Sequence, residues 1–149
     1  MFKNTKNLFP VFKKNPNLVF LDTAASALKP KEMIDATNNC YSYEYANVHR
    51  GLYSLSANLT KNFENVRIQV SDFISANSEE NIIFTKSATE GINLVVDKFS
   101  EKYLSEGDEI LISYLEHHAN IVPWHIAAKK YKFKIVPITL NKIGEIDYN

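Results

Sequence analysis

Residues 81–113 read NIIFTKSATEGINLVVDKFSEKYLSEGDEILIS, and this stretch determines the predicted fold class. A short apolar run at residues 81–85 precedes a helical pattern over residues 88–103, in which apolar side chains recur every three or four positions. A Gly-Asp pair then turns the chain into a second apolar run at residues 109–113. We therefore predict a strand, a helix and a strand in direct succession.

The chain beyond this stretch repeats the same pattern. Residues 119–130 are predicted to form a helix and residues 132–140 a strand. Alternating strands and helices are typical of a mostly parallel sheet with right-handed crossovers. Ligands of such sheets bind at the carboxyl ends of the strands, which here are followed by residues 86–91 and residues 114–120.

The N-terminal side is predicted to be mainly helical. We expect a brief strand at residues 18–21, a helix that begins near Pro30, a loop at residues 46–56 and a second helix from Ala57. Apolar side chains follow steps of four and three along the second helix: Leu59, Phe63, Val66, Val70 and Phe73.

Composition narrows the class of protein. Lys and Arg total 17, as do Asp and Glu, so the formal net charge is zero. The composition therefore gives no indication of a nucleic-acid or membrane partner. Cys40 is the single cysteine, which excludes an intrachain disulfide and favours a reducing compartment. The basic residues 1–14 lack the apolar core of a secretory signal. We expect a cytoplasmic protein, with an organelle as the alternative.

Two segments after predicted strands could bind a ligand. At residues 86–91 (KSATEG), a helix N-terminus with small and hydroxyl side chains suits a phosphate, or Ser87 or Thr89 caps the helix without any ligand. At residues 116–120 (EHHAN), an imidazole could stack on an aromatic ligand, or the histidines could be hydrogen-bonded in a crowded turn. The spacing matches no zinc motif, so we predict no metal.

Two further segments lie nearer the N-terminus. Residues 48–51 (VHRG) place an Arg in a loop, where its guanidinium suits a carboxylate or phosphate or closes a surface salt bridge. Residues 22–26 (DTAAS) are small enough for close approach of a ligand or of a neighbouring helix. Cys40 lies on an apolar helical stripe and is interpreted as a structural thiol.

Taken in order, these segments resemble the cysteine desulfurases of the class V aminotransferase family, in particular the SUF-pathway type with its selenocysteine lyase-like members. The matching stretches are FLDTAAS (20–26), VHRG (48–51), FTKSATEGIN (84–93) and EHHANIVPW (116–124). The resemblance implies an α/β protein with the type I PLP-dependent transferase fold. Residues 1–56 would form an N-terminal segment, and residues 57–149 the first part of the pyridoxal-phosphate-binding large domain.

The resemblance also implies roles for the cofactor site. Ala88 and Thr89 match the turn that binds the phosphate of pyridoxal 5'-phosphate. His117 matches the histidine that stacks on the pyridine ring. Asn120 lies in the same motif, and we expect it to support cofactor binding.

On the substrate side, the resemblance implies that Ala24 and Ala25 line the site. His49 and Arg50 match a loop near the substrate and the partner of a homodimer. The implied partners are L-cysteine or selenocysteine as substrate and a sulfur-acceptor protein of iron–sulfur cluster assembly. The implied reaction yields L-alanine and an enzyme persulfide.

The chain departs from the family pattern at several positions. Ser87 stands where the family commonly has Gly, and Tyr53 where it often has a second His. The Schiff-base lysine and the nucleophilic cysteine of the family are expected downstream of Asn149, and neither Lys86 nor Cys40 replaces them. We therefore expect an inactive N-terminal fragment with no catalytic residue of its own. The alternatives are a non-catalytic dimerisation or interaction module, and another class V enzyme such as a selenocysteine lyase.

Overall fold

The computed structural model describes residues 5–147, so predictions for residues 1–4 and 148–149 lie outside the described part. The chain forms two compact units that divide between Ile82 and Ile83. The regular elements of the described residues are α1 (Pro10–Lys14), α2 (Lys31–Asn39), α3 (Ser54–Phe73), α4 (Ala88–Tyr103), β1 (Glu109–Ser113), α5 (Val122–Tyr131) and β2 (Lys134–Ile138).

The first unit is built from α1, α2 and α3. Pro30 is the N-cap of α2, where its missing N–H costs no helical hydrogen bond, and the helix continues into a π-helical turn at Cys40–Glu44. The predicted loop was too long at its C-terminal end, because α3 already begins at Ser54. The buried Ser56 donates a hydrogen bond to the carbonyl of Asn47 at 2.5 Å, and this contact holds the first turn of the helix.

Two predicted strands do not form. Residues 18–21 are irregular. Residues 82–85 follow a 3-10 turn at Glu79–Asn81 and form no strand. Ile82 is buried, whereas Ile83 and Phe84 are exposed. A strand also needs a hydrogen-bonded neighbour, and within residues 5–147 neither segment pairs with one. Both strand predictions are therefore wrong for the described part of the chain.

The second unit contains the parallel sheet. β1 pairs with β2 in parallel, from Glu109 opposite Lys134 to Ser113 opposite Ile138. α5 lies between the two strands in sequence and forms the crossover, as parallel pairing requires. β2 begins later than predicted because Lys132 takes the left-handed conformation (φ 62°) that ends α5, and it ends at Ile138, two residues before the predicted end. The predicted α/β class with parallel pairing is confirmed.

One apolar core holds the second unit together. Val96 of α4, Ala127 of α5 and Phe133 form its buried centre, and Trp124 packs against it. The Trp124 ring meets the rings of Phe99 and Phe133 edge-on, each at a centroid distance of 6.4 Å. Such edge-to-face pairs stabilise a core beyond their area burial. The N-terminus of α4 and the C-terminus of β1 therefore belong to one packed body.

Among the helices of residues 5–147, none combines the length and apolar character that crossing a membrane requires.

Candidate functional site

The turn that enters α4 is fixed by two capping hydrogen bonds. The Ser87 hydroxyl accepts from the backbone N–H of Glu90 at 3.1 Å. The Glu90 carboxylate in turn accepts from the backbone N–H of Lys86 at 2.5 Å. This reciprocal arrangement resembles a capping box and satisfies two backbone donors at the helix entrance. The capping interpretation of Ser87 is therefore confirmed.

Capping leaves other donors of this turn free. Within the described residues, the backbone N–H groups of Ala88 and Thr89 and the Thr89 hydroxyl have no acceptor, and both residues are exposed. These donors lie at the positive end of a 16-residue helix. Capping and anion binding, which the sequence left as alternatives, use different N–H groups and can occur together.

His117 lies beyond the carboxyl end of β1 and is exposed. It is the N-cap of a 3-10 turn at His118–Asn120, and its Nδ1 accepts from the backbone N–H of Ala119 at 3.1 Å. A neutral ring with Nδ1 as acceptor carries its proton on Nε2. The His118 ring lies beside it at a centroid distance of 4.0 Å and an angle of 36°. The side chain of His117 is thus exposed while its ring contacts the ring of His118.

Asn120 closes the turn that carries His117. Its side-chain amide nitrogen donates to the Glu116 carboxylate at 3.0 Å, and its oxygen accepts from the Trp124 indole at 3.1 Å. Its backbone N–H donates to the His117 carbonyl at 2.7 Å. Helix α4 contacts this same turn. Ala88, Thr89, His117 and Asn120 therefore belong to one unit and to elements in mutual contact.

The first unit carries the other candidate residues, and there His49 is engaged by α3. His49 has a left-handed backbone (φ 71°), and its N–H donates to the Thr60 hydroxyl at 2.9 Å. Its Nε2 lies 3.3 Å from a Glu64 oxygen, and its ring meets Phe63 edge-on at 5.9 Å. Glu64 also pairs with Arg67 at 3.2 Å. The side chain of His49 is thus held by its own unit.

Arg50 differs from its neighbour. Its side chain is exposed, and among residues 5–147 no carboxylate forms a salt bridge with it. The surface salt bridge considered for Arg50 does not form within this part of the chain. The next residue is Gly51, where a side chain does not fit, because a Cβ there would lie 2.2 Å from the Ser56 hydroxyl oxygen.

Ala24 and Ala25 lie in an exposed turn in which Ala25 donates its N–H to the Asp22 carbonyl at 3.1 Å.

The sequence of residues 19–149 matches the aminotransferase class-V family. The chain belongs to the class V aminotransferase family. The resemblance drawn from the four motifs is thereby confirmed at the level of the family.

Relatives within the class V family are close in sequence and structure. A probable cysteine desulfurase of Vibrio cholerae is 50% identical over 131 residues, which is 88% of this chain and 32% of that protein. The apo structure of a cysteine desulfurase from Thermococcus onnurineus NA1 superposes with a TM-score of 0.88 at 31% identity, over 99% of this chain and 36% of that one. The Escherichia coli cysteine desulfurase CsdA, in its S-sulfonic acid form, gives 0.79 at 36% identity, over 95% and 36%. The chain spans about a third of the length of these relatives.

Three residues of this class V chain were missed by the sequence reasoning. The partner role of Glu90 could have been found, since Ser87 and Glu90 have the spacing of a capping box. The contact of Glu64 with His49 joins α3 to the preceding loop, and no local sequence pattern predicts it. Trp124 was quoted within a motif, but its hydrogen bond to Asn120 was not anticipated. No group of three His, Cys, Asp or Glu side chains that could hold a metal occurs in the part of the chain that the structure describes.

Proposed function

We propose that this chain forms the cofactor-holding part of a pyridoxal-phosphate-dependent cysteine desulfurase. The reaction breaks the carbon–sulfur bond of L-cysteine and leaves L-alanine and a persulfide on an enzyme thiol. The observation that carries the proposal is the set of free donors at Ala88 and Thr89, in the same unit as the exposed ring of His117. It is supported by the 50% identity to a probable cysteine desulfurase.

The donor set fits the cofactor at both ends. Two backbone N–H groups, one hydroxyl and the positive end of α4 are suited to a phosphate monoester. The exposed imidazole of His117 is suited to stacking on a flat, electron-poor pyridine ring, and the hydrogen bond from the Ala119 N–H restricts the orientation of that imidazole. When bound, pyridoxal phosphate would supply an electron sink for bond breaking at the substrate carbon atoms.

On the substrate side, the proposed roles rest on the first unit. Arg50 is the stronger candidate for binding a carboxylate, because its guanidinium has no salt-bridge partner among the described residues. His49 shapes the loop, since its ring is occupied by Glu64 and Phe63. Ala24 and Ala25 leave room for the substrate. The substrate class is L-cysteine or its selenium analogue.

The wider setting belongs to the same proposal. We infer a homodimer in the cytoplasm that passes sulfur to an acceptor protein for iron–sulfur cluster assembly. We propose that two further groups lie in the part of the relatives that this chain does not span. They are the lysine that holds the cofactor covalently and the thiol nucleophile. Cys40 is half-buried at the start of the π-helical turn, and Lys86 lies at the helix entrance, so neither takes these roles.

A second candidate function is a non-catalytic interaction module. The observation that favours it is an open, mostly apolar cavity of about 970 Å³ between α2, the π-helical turn and α3. Tyr41 and Tyr45 stack beside it at 5.7 Å, and both are largely exposed. A module of this kind would bind a protein partner without needing the cofactor.

The test uses the complete product of the reading frame that encodes this chain, incubated with pyridoxal phosphate and L-cysteine. We expect alanine release, and a loss of cofactor affinity of about tenfold in Thr89→Val, which removes one hydrogen bond to a charged group. A product that binds a protein partner but neither cofactor nor cysteine would favour the interaction module instead. The 149-residue chain alone is expected to release no alanine, and release would show that it holds its own catalytic groups.

A further inference from the structure

We propose that Asn120 is a positioning residue, which holds His117 in place for the cofactor ring rather than binding the cofactor itself. The inference rests on the proposed function and makes one of its residue roles specific. Its basis is a chain of hydrogen bonds from Trp124 through Asn120 to Glu116, which we call the Asn120 clamp.

One end of the clamp is anchored in the core of the second unit. The Trp124 indole N–H donates to Asn120 at 3.1 Å, and the indole ring packs edge-on against Phe99 and Phe133. Phe133 is buried, with 4% of its surface exposed. Two aromatic neighbours restrict the tilt of the indole, so its N–H points in a fixed direction. Asn120 therefore receives a hydrogen bond from a rigid donor.

The other end of the clamp brackets His117. The Asn120 amide donates to the Glu116 carboxylate at 3.0 Å, and the Asn120 backbone N–H donates to the His117 carbonyl at 2.7 Å. Glu116 and Asn120 thus fix the chain on both sides of His117, whose own side chain is exposed. Among the described residues, the His117 ring has one hydrogen bond, which the Ala119 N–H donates to Nδ1. The orientation of the ring depends on the geometry of this turn.

The amide of Asn120 meets two opposite demands at this position. Its oxygen must accept from an indole N–H while its nitrogen donates to a carboxylate. An aspartate accepts from Trp124 but places a second negative charge against Glu116. Because each polar end of Asn120 already has a protein partner, we infer that its contribution to the cofactor is indirect.

The first experiment measures the tautomer of His117 in the full chain without ligand, from the ring ¹⁵N shifts at about pH 8.5, where a free imidazole is neutral. We expect mainly the Nε2–H tautomer in the parent chain and a mixture of both tautomers in Asn120→Asp and Asn120→Ala. Trp124→Phe removes the indole donor but keeps an aromatic ring, and we expect the same direction of change. Asn38→Ala, at an exposed position on α2, is the matched control and should leave His117 unchanged.

The second experiment measures binding of pyridoxine 5'-phosphate, which lacks the aldehyde and so cannot react with lysines, alongside inorganic phosphate. Loss of the clamp should lower the affinity for pyridoxine 5'-phosphate about tenfold, a typical loss for one well-oriented contact. The affinity for inorganic phosphate should stay unchanged. Weaker binding with an unaltered His117 tautomer would make Asn120 a direct ligand and overturn the proposal. No change in either measurement would also overturn it. A tautomer response in a chain that binds neither compound would support the clamp and contradict the proposed function.

Discussion

The two units of the chain are held together differently. In the first, the described buried side chains are Ser56, Ser71 and Ile82, whereas apolar side chains of α3 such as Phe73 are exposed. In the second, Val96, Ala127 and Phe133 form a compact apolar centre. Apolar burial stabilises without directional demands, while buried serines depend on particular hydrogen-bond partners. The cofactor candidates therefore lie on a packed body, whereas His49 and Arg50 lie on a loop held by polar contacts and close backbone approach.

Removal of the Phe133 ring from the core of the second unit should have the largest effect on stability. Phe133→Ala should destabilise the second unit by about 3–5 kcal/mol, the usual loss for a buried phenylalanine. Phe73→Ala, at a residue 89% exposed, should change stability by no more than about 0.5 kcal/mol. Urea unfolding followed by Trp124 fluorescence and by hydrogen exchange measures both. Equal losses would show that α3 buries its apolar stripe as thoroughly as the second unit buries its centre.

A substitution of Gly51 tests the close approach of the loop backbone to Ser56 of α3 in the first unit. Gly51→Ala should cost about 1–3 kcal/mol, because the new Cβ would lie 2.4 Å from the Ser56 Cβ, which cannot move without its helix. Gly91→Ala is the control within α4, where the nearest atom is the Thr85 hydroxyl oxygen at 3.5 Å. It should stabilise the helix by about 0.5–1 kcal/mol. Amide exchange in residues 47–60 reports the first change. Unaltered exchange there would mean that the loop is not held against α3.

The cap of α4 offers a smaller effect in the second unit. Ser87→Ala removes the hydrogen bond to the Glu90 N–H and should cost about 1 kcal/mol, while Ser87→Gly should cost only a few tenths. The ordering follows because glycine adopts the N-cap conformation readily and exposes the N–H groups to water. Exchange rates of the amides at the N-terminus of α4 distinguish the two variants. A reversed order would contradict the assigned cap.

Two buried serines provide the finest comparison. Ser100 is fully buried, and its hydroxyl has no partner among the described residues, so Ser100→Ala should change stability by less than about 0.5 kcal/mol or increase it. Ser56 donates to the Asn47 carbonyl, so Ser56→Ala should cost about 1 kcal/mol. Thermal unfolding of both variants measures the difference. A larger loss for Ser100→Ala would reveal a partner for its hydroxyl.

The sequence predicted the elements that depend on local periodicity and missed what depends on distant partners. α4, β1, α5 and β2 were expected because apolar spacing and turn residues lie within each segment. The strand at residues 81–85 did not form, since pairing needs a second segment that sequence periodicity does not reveal. The early start of α3 depends on the contact of Ser56 with Asn47, nine residues away.

The candidate site follows the same division. Motif order predicted Ala88, Thr89 and His117, and the structure adds how capping leaves two N–H groups free. The left-handed backbone of His49 and its contact with Glu64 could not be predicted from residue types, because both arise from the packing of a loop on α3. The binding roles of all these residues stay predictions.

The most direct test of the cofactor-holding role is an amide and ring NMR titration of the 149-residue chain with pyridoxine 5'-phosphate, with unphosphorylated pyridoxine as the control. We predict that the phosphate ester shifts the amide signals of Ala88 and Thr89 and the ring signals of His117, and that pyridoxine leaves Ala88 and Thr89 unchanged. Shifts confined to residues 47–53, or no difference between the two compounds at Ala88 and Thr89, would contradict the account.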